Sequence, residues 1–595
     1  MAQPVPSTPR QAAVGLSRLR RLAYSQSAAP WLFVLPFILS FALFFAWPVL
    51  SAVNMSFQEV LPGQVRYIGL ENYRDLWNPT FRKALLNSTE YTFWTLLVLI
   101  PLPLVLAVFL NSKLMAWRNF FRSTLFVPAL VSVVVAGTVF RLAFGELEGS
   151  LMNTIIAAFG FEPQQWLRRE GLAMFTLVLL ATWRWMGVNV LYFLAGLQNI
   201  PRELYESAEI DGASAWDRFV RITLPLLKPI TIYVLTISIY GGYAMFTESY
   251  MLWAGNRSPN DIGLTIVGYL YRNGIEQNNL GLGSAVGIVL LIITFTVTMV
   301  QLRLTGMFRR RTDMSAGNAS RRRLASAALI VLFVLLGLFA VSPIATLIVA
   351  SFKPAQEMMR YGLNLRLDPE LLSLKNYAYL FSDQSLYLTW YGNSLIITAI
   401  FTVLCLFFSS MVGYAFAVYR FRFRNALFAL VLVTMMIPLE IIILPLYKLT
   451  ISLNLINNMW GVILPFMVAP LPIFFFRQYA GGLPKDYLDA ARVDGCTEFG
   501  VFFRVMVPLM APAFSSMLIL QALFSWNNFL WPLIVLRTNE QLTIPIGLAT
   551  LLTPYGNNYD MLISGAVMAI VPILIVFLFF QKYFIEGMTA GGIKG

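Results

Sequence analysis

The stretches PRELYESAEIDGASAWDRFVRITLPLLKP at residues 201–229 and PKDYLDAARVDGCTEFGVFFRVMVPLMAP at residues 484–512 align without a gap over their whole length. We call them the first and the second island, because each is a polar, charge-bearing segment between long apolar runs. A glycine stands at the same place in both, as Gly212 and Gly495. The identical spacing predicts that the chain contains an internal repeat.

Each island predicts two short helices with a break between them. Proline suits a first helical position, where its missing N–H costs nothing, so Pro201 and Pro484 are expected to begin the first helix. The shared glycine is expected to end that helix, because glycine tolerates the left-handed conformation that a helix end often needs. A second helix is then expected to begin at a capping side chain, Ser214 in the first island and Thr497 in the second.

The composition is that of a membrane protein. Apolar residues make up 58% of the 595 residues and charged residues only 12%, which lies outside the range of soluble globular proteins. A membrane-crossing helix needs about twenty apolar residues. The sequence predicts an all-α polytopic membrane protein with about twelve such spans. They lie near residues 31–54, 90–110, 123–144, 172–197, 230–253, 282–302, 325–350, 393–418, 425–447, 458–480, 511–536 and 561–581.

The formal net charge of +14 comes largely from basic residues in particular loops. They lie before the first apolar run or after even-numbered runs, so the positive-inside rule predicts that both termini and both islands are cytoplasmic. The basic excess therefore indicates topology and not nucleic-acid binding. The multi-pass chain is expected in the cytoplasmic (inner) membrane of a bacterium or archaeon. The basic residues are Arg18, Arg20, Arg21, Lys113, Arg118, Arg122, Arg309, Arg310, Arg311, Arg321, Arg322, Arg323, Arg420, Arg422 and Arg424.

The repeat continues outside the islands. Each half holds six apolar runs, and an even number predicts that the halves insert in the same orientation, as two parallel six-helix repeats. The first half is longer, and its extra residues fall around 145–171, in a loop expected outside the cell. The clearest matching pairs are Asn72-Tyr73 with Asn376-Tyr377 and Asn87-Ser88 with Asn393-Ser394.

These observations divide the chain into two subunit-like halves fused in one polypeptide. The join is rich in Arg, Gly, Ser and Asn, as a cytoplasmic linker should be. The predicted segments are a cytoplasmic N-terminal tail at 1–29, a first half at 30–306, a linker at 307–323, a second half at 324–586 and a C-terminal tail at 587–595.

The islands resemble the signature loop of binding-protein-dependent ABC importer permeases. That loop reads Glu-Ala-Ala, three residues, Gly, nine residues, Ile-x-Leu-Pro, and it begins here as ESA at residues 206–208 and as DAA at residues 489–491. The resemblance implies the type I ABC importer transmembrane fold and the docking of each island on an ATPase subunit. The residues it assigns to ATPase coupling are Glu206, Ala208, Asp211, Gly212, Asp489, Ala491, Asp494 and Gly495.

Two further stretches resemble the maltose-type carbohydrate permeases: WNNFLWP at residues 526–532 and the tail GMTAGGIKG at residues 587–595. In that family such a tail reaches into the ATPase dimer, so the resemblance assigns ATPase contacts to Gly591, Gly592 and Lys594; a frayed end is the alternative. The partners it implies are two ABC ATPase subunits, an extracytoplasmic solute-binding protein, membrane lipid and a small-molecule sugar, without nucleic acid.

Chemistry on the chain itself is not expected. The sequence holds no histidine, no glycine-rich loop followed by Lys and Ser or Thr, and no metal-ligand spacing. We therefore predict a non-enzymatic permease subunit without a metal or cofactor of its own, with ATP and Mg²⁺ on the partner ATPase subunits. Its expected substrate is a sugar or oligosaccharide, with glycerol phosphate or polyols as alternatives.

Two other classes of protein compete with this prediction. A secondary transporter of twelve spans would usually carry membrane carboxylates for proton or sodium coupling, and the sequence has few. A membrane enzyme acting on lipid-linked sugars would need paired catalytic carboxylates or a metal site, and neither is found in the sequence.

Polar and aromatic residues inside the spans are the candidates for a substrate pathway. Polar side chains there are costly unless they are paired or line a watery cavity. A sugar needs rings for its C–H faces and hydrogen-bonding groups for its hydroxyls. The alternatives are a pair of Arg184 and Glu248 that only ties two helices together, and tryptophans that form interfacial belts. The candidates are Trp183, Arg184, Asn189, Tyr243, Glu248, Trp526, Asn527, Asn528 and Trp531.

Overall fold

The computed structural model describes residues 24–112, 115, 117–305, 324–364, 366, 368–435, 437–552 and 558–590. The strands among these residues, Gln58–Leu61 and Gln64–Tyr67, form one antiparallel hairpin, and the other elements are helices. The predicted linker, nearly all of the predicted N-terminal tail and residues 591–595 lie outside the described residues. The predicted all-α fold class is confirmed.

Eight helices in the described ranges are long and apolar enough to cross a membrane. We number the spans in chain order and count each bent helix pair as one span. The eight are span 1 (Ala29–Ser56), span 2 (Pro79–Asn111), span 4 (Glu170–Gln198), span 6 (Leu280–Leu304), span 7 (Ile330–Ser351), span 8 (Tyr387–Val418), span 11 (Ala511–Val535) and span 12 (Tyr559–Phe579).

Four more helix pairs meet the same criteria together but bend by more than 40° at a short break. A proline lies near each break, where it lacks the N–H that would continue the helix. The total of eight to twelve spans agrees with the predicted number of about twelve. The pairs are span 3 (Arg118–Leu130 and Val133–Ala143, 92°), span 5 (Ala215–Leu226 and Lys228–Tyr243, 65°), span 9 (Arg424–Thr434 and Leu439–Ser452, 99°) and span 10 (Met459–Phe466 and Pro470–Gly481, 44°).

Short helices lie in the connecting segments. The insertion predicted around 145–171 contains one of them, and the buried side-chain oxygen of Asn153 accepts hydrogen bonds there from the Trp166 indole at 2.8 Å and the Gln164 backbone at 2.9 Å. The short helices are Glu71–Asp75, Leu151–Ala158, Arg202–Ile210, Thr247–Leu252, Ile266–Tyr271, Ala355–Tyr361, Lys375–Leu380, Asp486–Val493, Glu498–Val501 and Ile544–Thr550.

The internal repeat is visible in matching hydrogen bonds at the end of the first span of each half. The hydroxyls of Tyr73 and Ser56 lie 2.7 Å apart in the first half, and those of Tyr377 and Ser351 lie 2.7 Å apart in the second. In both halves, the asparagine before the tyrosine donates to the carbonyl of that serine, at 3.0 and 2.9 Å. The predicted correspondence of these positions is confirmed.

The second pair of matching motifs also makes equivalent contacts. The hydroxyl of Ser88 accepts from the backbone N–H of Ile266 at 3.0 Å, and that of Ser394 accepts from Ile544 at 2.8 Å. Both isoleucines begin a short helix. In each half, this serine therefore links the second span by a hydrogen bond to a short helix that lies before the sixth span.

The first span of each half packs against the other half. Phe33 in span 1 lies among aromatic rings of the second half, and Phe333 in span 7 lies 5.6 Å from Phe121 of span 3 between ring centroids. The indole N–H of Trp183 in span 4 donates to the Ala340 carbonyl in span 7 at 3.0 Å. The first span of each half therefore contacts helices of the other half. The predicted boundaries mark the sequence repeats, and the two repeats are in contact along these spans.

Candidate coupling and translocation sites

Both islands contain the two short helices that the sequence predicts. The first helix is Arg202–Ile210 in the first island and Asp486–Val493 in the second. The prediction that the prolines are the first helical residues is wrong, because the helices begin one or two residues after them. Pro201 is the N-cap, with an extended ψ of 131° that places it just outside the helix, and Pro484 precedes the N-cap residue Lys485.

The shared glycines end these helices as predicted. Gly212 has a φ of 78° and Gly495 a φ of 79°. The N–H of the residue after each glycine donates to the carbonyl of Ala208 or Ala491, at 2.8 and 3.0 Å. This is a Schellman motif, whose hydrogen bonds close only when the residue at the turn adopts a left-handed conformation. The alanine and glycine of each signature are therefore parts of one helix ending.

The second helix of each island begins at the predicted cap. The backbone N–H of Asp217 donates to the Ser214 hydroxyl at 3.0 Å, and the Asp217 carboxylate accepts from the Ser214 N–H at 3.2 Å, which completes a capping box. In the second island, the Thr497 hydroxyl accepts from the N–H of Gly500 at 2.9 Å. The two islands thus share one backbone design.

Apolar side chains project from matching positions of the two islands. Leu204 is 44% exposed and its counterpart Tyr487 is 52% exposed, while Ile210 is 87% and its counterpart Val493 is 86% exposed. Large apolar residues exposed next to polar ones are typical of a surface that binds another protein. We call these four side chains the docking face.

The acidic residues of the signature differ between the islands. The Asp489 carboxylate lies 3.3 Å from the Arg492 guanidinium on its own helix. Among the described residues, no hydrogen bond or ion pair of the Glu206 carboxylate is found. Asp211 and Asp494 are exposed residues that end the first helices. The tail residues Gly591, Gly592 and Lys594 lie outside the described residues.

Arg184 and Glu248 come together inside the first half. Nη1 of the arginine lies 3.1 Å from Oε1 of the glutamate, and the side chains are 9% and 12% exposed. The Arg184 guanidinium also lies 5.3 Å from the centre of the Trp185 ring. Two charges so deeply enclosed are balanced by each other.

The candidate tryptophans are enclosed and hydrogen-bonded to the backbone. Trp183 and Trp526 are 2% and 3% exposed, and each indole N–H donates at 3.0 Å to a carbonyl three residues before a proline, Pro343 and Pro572. A proline inside a helix disturbs the hydrogen bonds of the preceding turn, which the indoles help to satisfy. Trp531 is 3% exposed and donates to the Gly461 carbonyl at 3.0 Å.

Asn189 satisfies a backbone carbonyl that proline leaves free. Its side-chain amide donates to the Leu99 carbonyl at 2.9 Å. In a regular helix that carbonyl would accept from the residue four positions later, which is Pro103 and has no N–H. The position of Asn189 is therefore explained by helix packing in the first half.

The remaining candidates differ in their surroundings. Tyr243 is 5% exposed and donates to the Thr89 hydroxyl at 3.4 Å. Asn527 and Asn528 lie where the helix of span 11 is interrupted, and both are half-buried. The side-chain oxygen of Asn527 is buried without a hydrogen-bond partner among the described residues.

Among the contacts between the halves that the sequence does not predict, two involve polar or aromatic side chains near the candidate residues. The rings of Tyr250 and Phe529 meet with centroids 5.6 Å apart, and the Tyr240 hydroxyl lies 3.5 Å from the Glu440 carboxylate. Each contact joins residues hundreds of positions apart in different halves. Periodicity within one half contains no signal for such a pair.

Comparison with known proteins identifies the family of the chain. The family described as binding-protein-dependent transport system inner membrane component matches residues 99–314 and again residues 406–589. The chain is 58% identical to the arabinooligosaccharides transport system permease protein AraP of Bacillus subtilis (strain 168), over 51% of this chain and 96% of the relative. It is 61% identical to the permease protein AraQ of the same system, over 45% of this chain and 95% of the relative.

One solved structure completes the comparison. It is the crystal structure of a bacterial ABC transporter involved in the import of the acidic polysaccharide alginate, with 24% identity, coverage of 44% of this chain and 99% of that chain, and a TM-score of 0.40.

The double family match explains the repeat. Two permease subunits are fused in one polypeptide, and the protein is a multi-pass membrane permease of a carbohydrate importer rather than a secondary transporter or a lipid-linked sugar enzyme. The chain therefore belongs to the family of binding-protein-dependent transport system inner membrane components.

Proposed function

We propose that this chain forms the translocation pathway of an importer for arabinose-containing oligosaccharides. An extracytoplasmic solute-binding protein delivers the sugar, and two ABC ATPase subunits, which bind ATP and Mg²⁺, drive its passage. The observation that carries the proposal is the likeness, at about 60% identity, to both permeases of one arabinooligosaccharide system. A fused chain of this kind replaces two separate subunits.

The islands are the proposed attachment points of the ATPase subunits, one for each island. Each presents a short helix with two exposed apolar residues of the docking face, which the surface of a partner would cover. The Schellman motif holds the helix ending in the same shape in both islands. Ala208, Gly212, Ala491 and Gly495 set this shape, while Glu206, Asp211, Asp489 and Asp494 lie beside it and face water.

The orientation follows from charge. Basic residues concentrate before span 1 and in the loops after even-numbered spans, so both termini and both islands are cytoplasmic. The predicted tail contact of Gly591, Gly592 and Lys594 with the ATPase dimer is compatible with this orientation. The opposite side of the molecule, with the insertion at 145–171, then faces the solute-binding protein.

The proposed pathway runs between the halves. Tyr250 and Phe529 touch across the interface, and the Tyr240–Glu440 contact crosses it elsewhere. Aromatic faces and a carboxylate at such a boundary suit the C–H faces and hydroxyls of a sugar. Among the candidates from the sequence, the three tryptophans are only 2–3% exposed, so helix movement must precede contact between their rings and a sugar.

A neutral substrate fits the Arg184–Glu248 pair better than glycerol phosphate does, whereas Arg141 of span 3 has no ion pair among the described residues. The charge of Arg184 is balanced by Glu248 at 3.1 Å, so the pair adds no net positive charge to a pathway. A phosphate group would need at least one uncompensated basic group inside the membrane. Polyols are neutral like sugars, so a transport assay with a radiolabelled polyol is needed to distinguish the two substrate classes.

Copurification followed by uptake tests the proposal. The tagged chain should copurify with two ABC ATPase subunits, and proteoliposomes with ATP inside and the solute-binding protein outside should accumulate radiolabelled arabinotriose. Uptake without ATP or without the binding protein would contradict the importer mechanism. Equal uptake of maltotriose would contradict the preference for arabinose.

A further inference from the structure

A buried carboxylate ties the second island to a membrane span. Arg492 donates to both oxygens of Glu498, with Nε to Oε1 at 3.0 Å and Nη2 to Oε2 at 3.0 Å, and the Tyr419 hydroxyl donates to Oε2 at 2.6 Å. The Glu498 side chain is 3% exposed. Arg492 lies on the first helix of the island, Glu498 begins the next, and Tyr419 directly follows span 8. One carboxylate therefore joins three elements.

The first span of the other half reaches the same place. Phe33 is fully buried, and its ring centroid lies 5.5 Å from Tyr414, 6.1 Å from Tyr419, 4.7 Å from Phe499 and 5.4 Å from Phe502. The first two rings belong to the end of span 8 and the other two to the second island. Span 1 is thus packed onto both sides of the connection that Glu498 makes.

Other residue types occupy the equivalent positions of the first island. Glu209 stands in place of Arg492 and Ala215 in place of Glu498. The ion pairs of the first island instead join Glu209 to Arg218 at 3.1 Å and Asp217 to Arg221 at 3.8 Å, and the Glu209 side chain is 49% exposed. Trp216 occupies the position equivalent to Phe499, whose ring packs on Phe33, and Trp216 is 70% exposed. The two islands share a backbone but differ in their attachment to the spans.

We propose that Glu498 is a positioning residue for energy coupling, which makes the second island move as one body with spans 1 and 8. The inference rests on the proposed function, because it assumes that an ATPase subunit pulls on the island.

An island can adopt this backbone without the ion pair. The first island forms the same Schellman motif and the same capped second helix without it. A buried ion pair is also seldom more stabilising than apolar residues of similar size, whereas it fixes the relative positions of the elements that it joins. Transmission of movement is a role that needs such fixed geometry.

Uptake per ATP separates coupling from simple stability. In the proteoliposomes with ATPase subunits, binding protein and arabinotriose, Glu498→Gln should retain the ATPase subunits and hydrolyse ATP. Its uptake per ATP should fall about tenfold, a factor within the usual range of coupling free energies between distant sites. Tyr419→Phe removes the hydrogen bond from the end of span 8 but keeps the ion pair inside the island, so its ratio should fall as well.

A control and two contrary outcomes complete the experiment. Glu59→Gln removes one carboxylate from an exposed ion pair with Arg66, 3.3 Å away on the hairpin, and should leave the ratio unchanged. Parallel losses of uptake and ATP hydrolysis in Glu498→Gln, at a constant ratio, would overturn the positioning role. If Glu498→Gln does not fold, Tyr419→Phe is the test of the inference. An unchanged ratio of uptake to ATP hydrolysis in Tyr419→Phe then overturns the inference. If the wild-type chain binds no ATPase subunit, that result would contradict the proposed function and also this inference, which depends on it.

Discussion

The guanidinium of Arg184 lies 3.1 Å from the carboxylate of Glu248, and the equivalent place in the second half is apolar. The register of the islands pairs Arg184 with Met467 and Glu248 with Trp531. There Phe466 packs edge-on against Trp531, with ring centroids 6.0 Å apart. One half therefore holds this position by charge and the other by packing.

This difference predicts the effect of removing one charge or both. Glu248→Leu leaves the Arg184 charge unpaired and should lower the free energy of unfolding by about 3–5 kcal/mol. The double variant Arg184→Met/Glu248→Leu imitates the second half and should recover most of that loss. Thermal unfolding of the purified chain in detergent measures both. Equal stability of the single variant and the wild type would contradict the structural role of the pair.

The left-handed glycines of the islands predict loss of coupling when they are replaced. Valine at Gly212 or Gly495 must adopt a φ near 78°, which costs about 1–2 kcal/mol per residue and opens the Schellman motif. The double variant Gly212→Val/Gly495→Val should insert normally but lose uptake. Gly160 on the insertion has a φ of 82°, so Gly160→Val introduces the same strain away from the islands. Normal uptake by the double variant, or its loss in the control, would count against this explanation.

The hydrogen bond from Asn189 to the Leu99 carbonyl predicts a rescue. Asn189→Leu leaves a buried carbonyl unsatisfied, which should cost about 1–3 kcal/mol of stability. Adding Pro103→Ala restores the missing N–H and should return part of that stability. The measurement is the unfolding temperature of the two variants. No rescue would show that Asn189 acts through something other than the orphaned carbonyl.

The docking face predicts which surface changes release the ATPase subunits. Ile210 and Val493 are almost fully exposed, so Ile210→Asp and Val493→Asp should leave the fold intact while placing a charge in an apolar contact. Copurified ATPase should fall by at least about tenfold when both are changed, as expected when a buried interface position receives a charge. Phe161→Asp, at a 66% exposed position on the insertion, is the matched control. Undiminished copurification of the double variant would show that the ATPase binds elsewhere.

The features predicted most accurately are those set by neighbours along the chain. The island helices end at Gly212 and Gly495, and their caps at Ser214 and Thr497 lie only a few residues away. Helix endings depend on local backbone preferences, so spacing alone identifies them. The one error concerned Pro201 and Pro484, because proline is accepted both at the first helical position and just before it.

The substrate-pathway candidates show the limit of such reasoning. The sequence offers a pair of Arg184 and Glu248 as one alternative, but whether the pair forms depends on how span 4 packs beside the helix Thr247–Leu252. Whether any of them contacts sugar stays a prediction. The indole of Trp526 is directed to a carbonyl near Pro572, which no pattern within span 11 reveals.

The amino-acid sequence by itself determined a membrane protein of two repeated halves, with a capped and glycine-terminated island in each, because composition, hydrophobic length and backbone preference act locally. Only the tertiary structure decided that span 1 crosses to the second half, that Tyr250 meets Phe529, and that Glu498 joins an island to span 8. Those contacts depend on the angles and rotations at which distant helices pack, and these are set by the whole assembly of side chains and not by any one stretch.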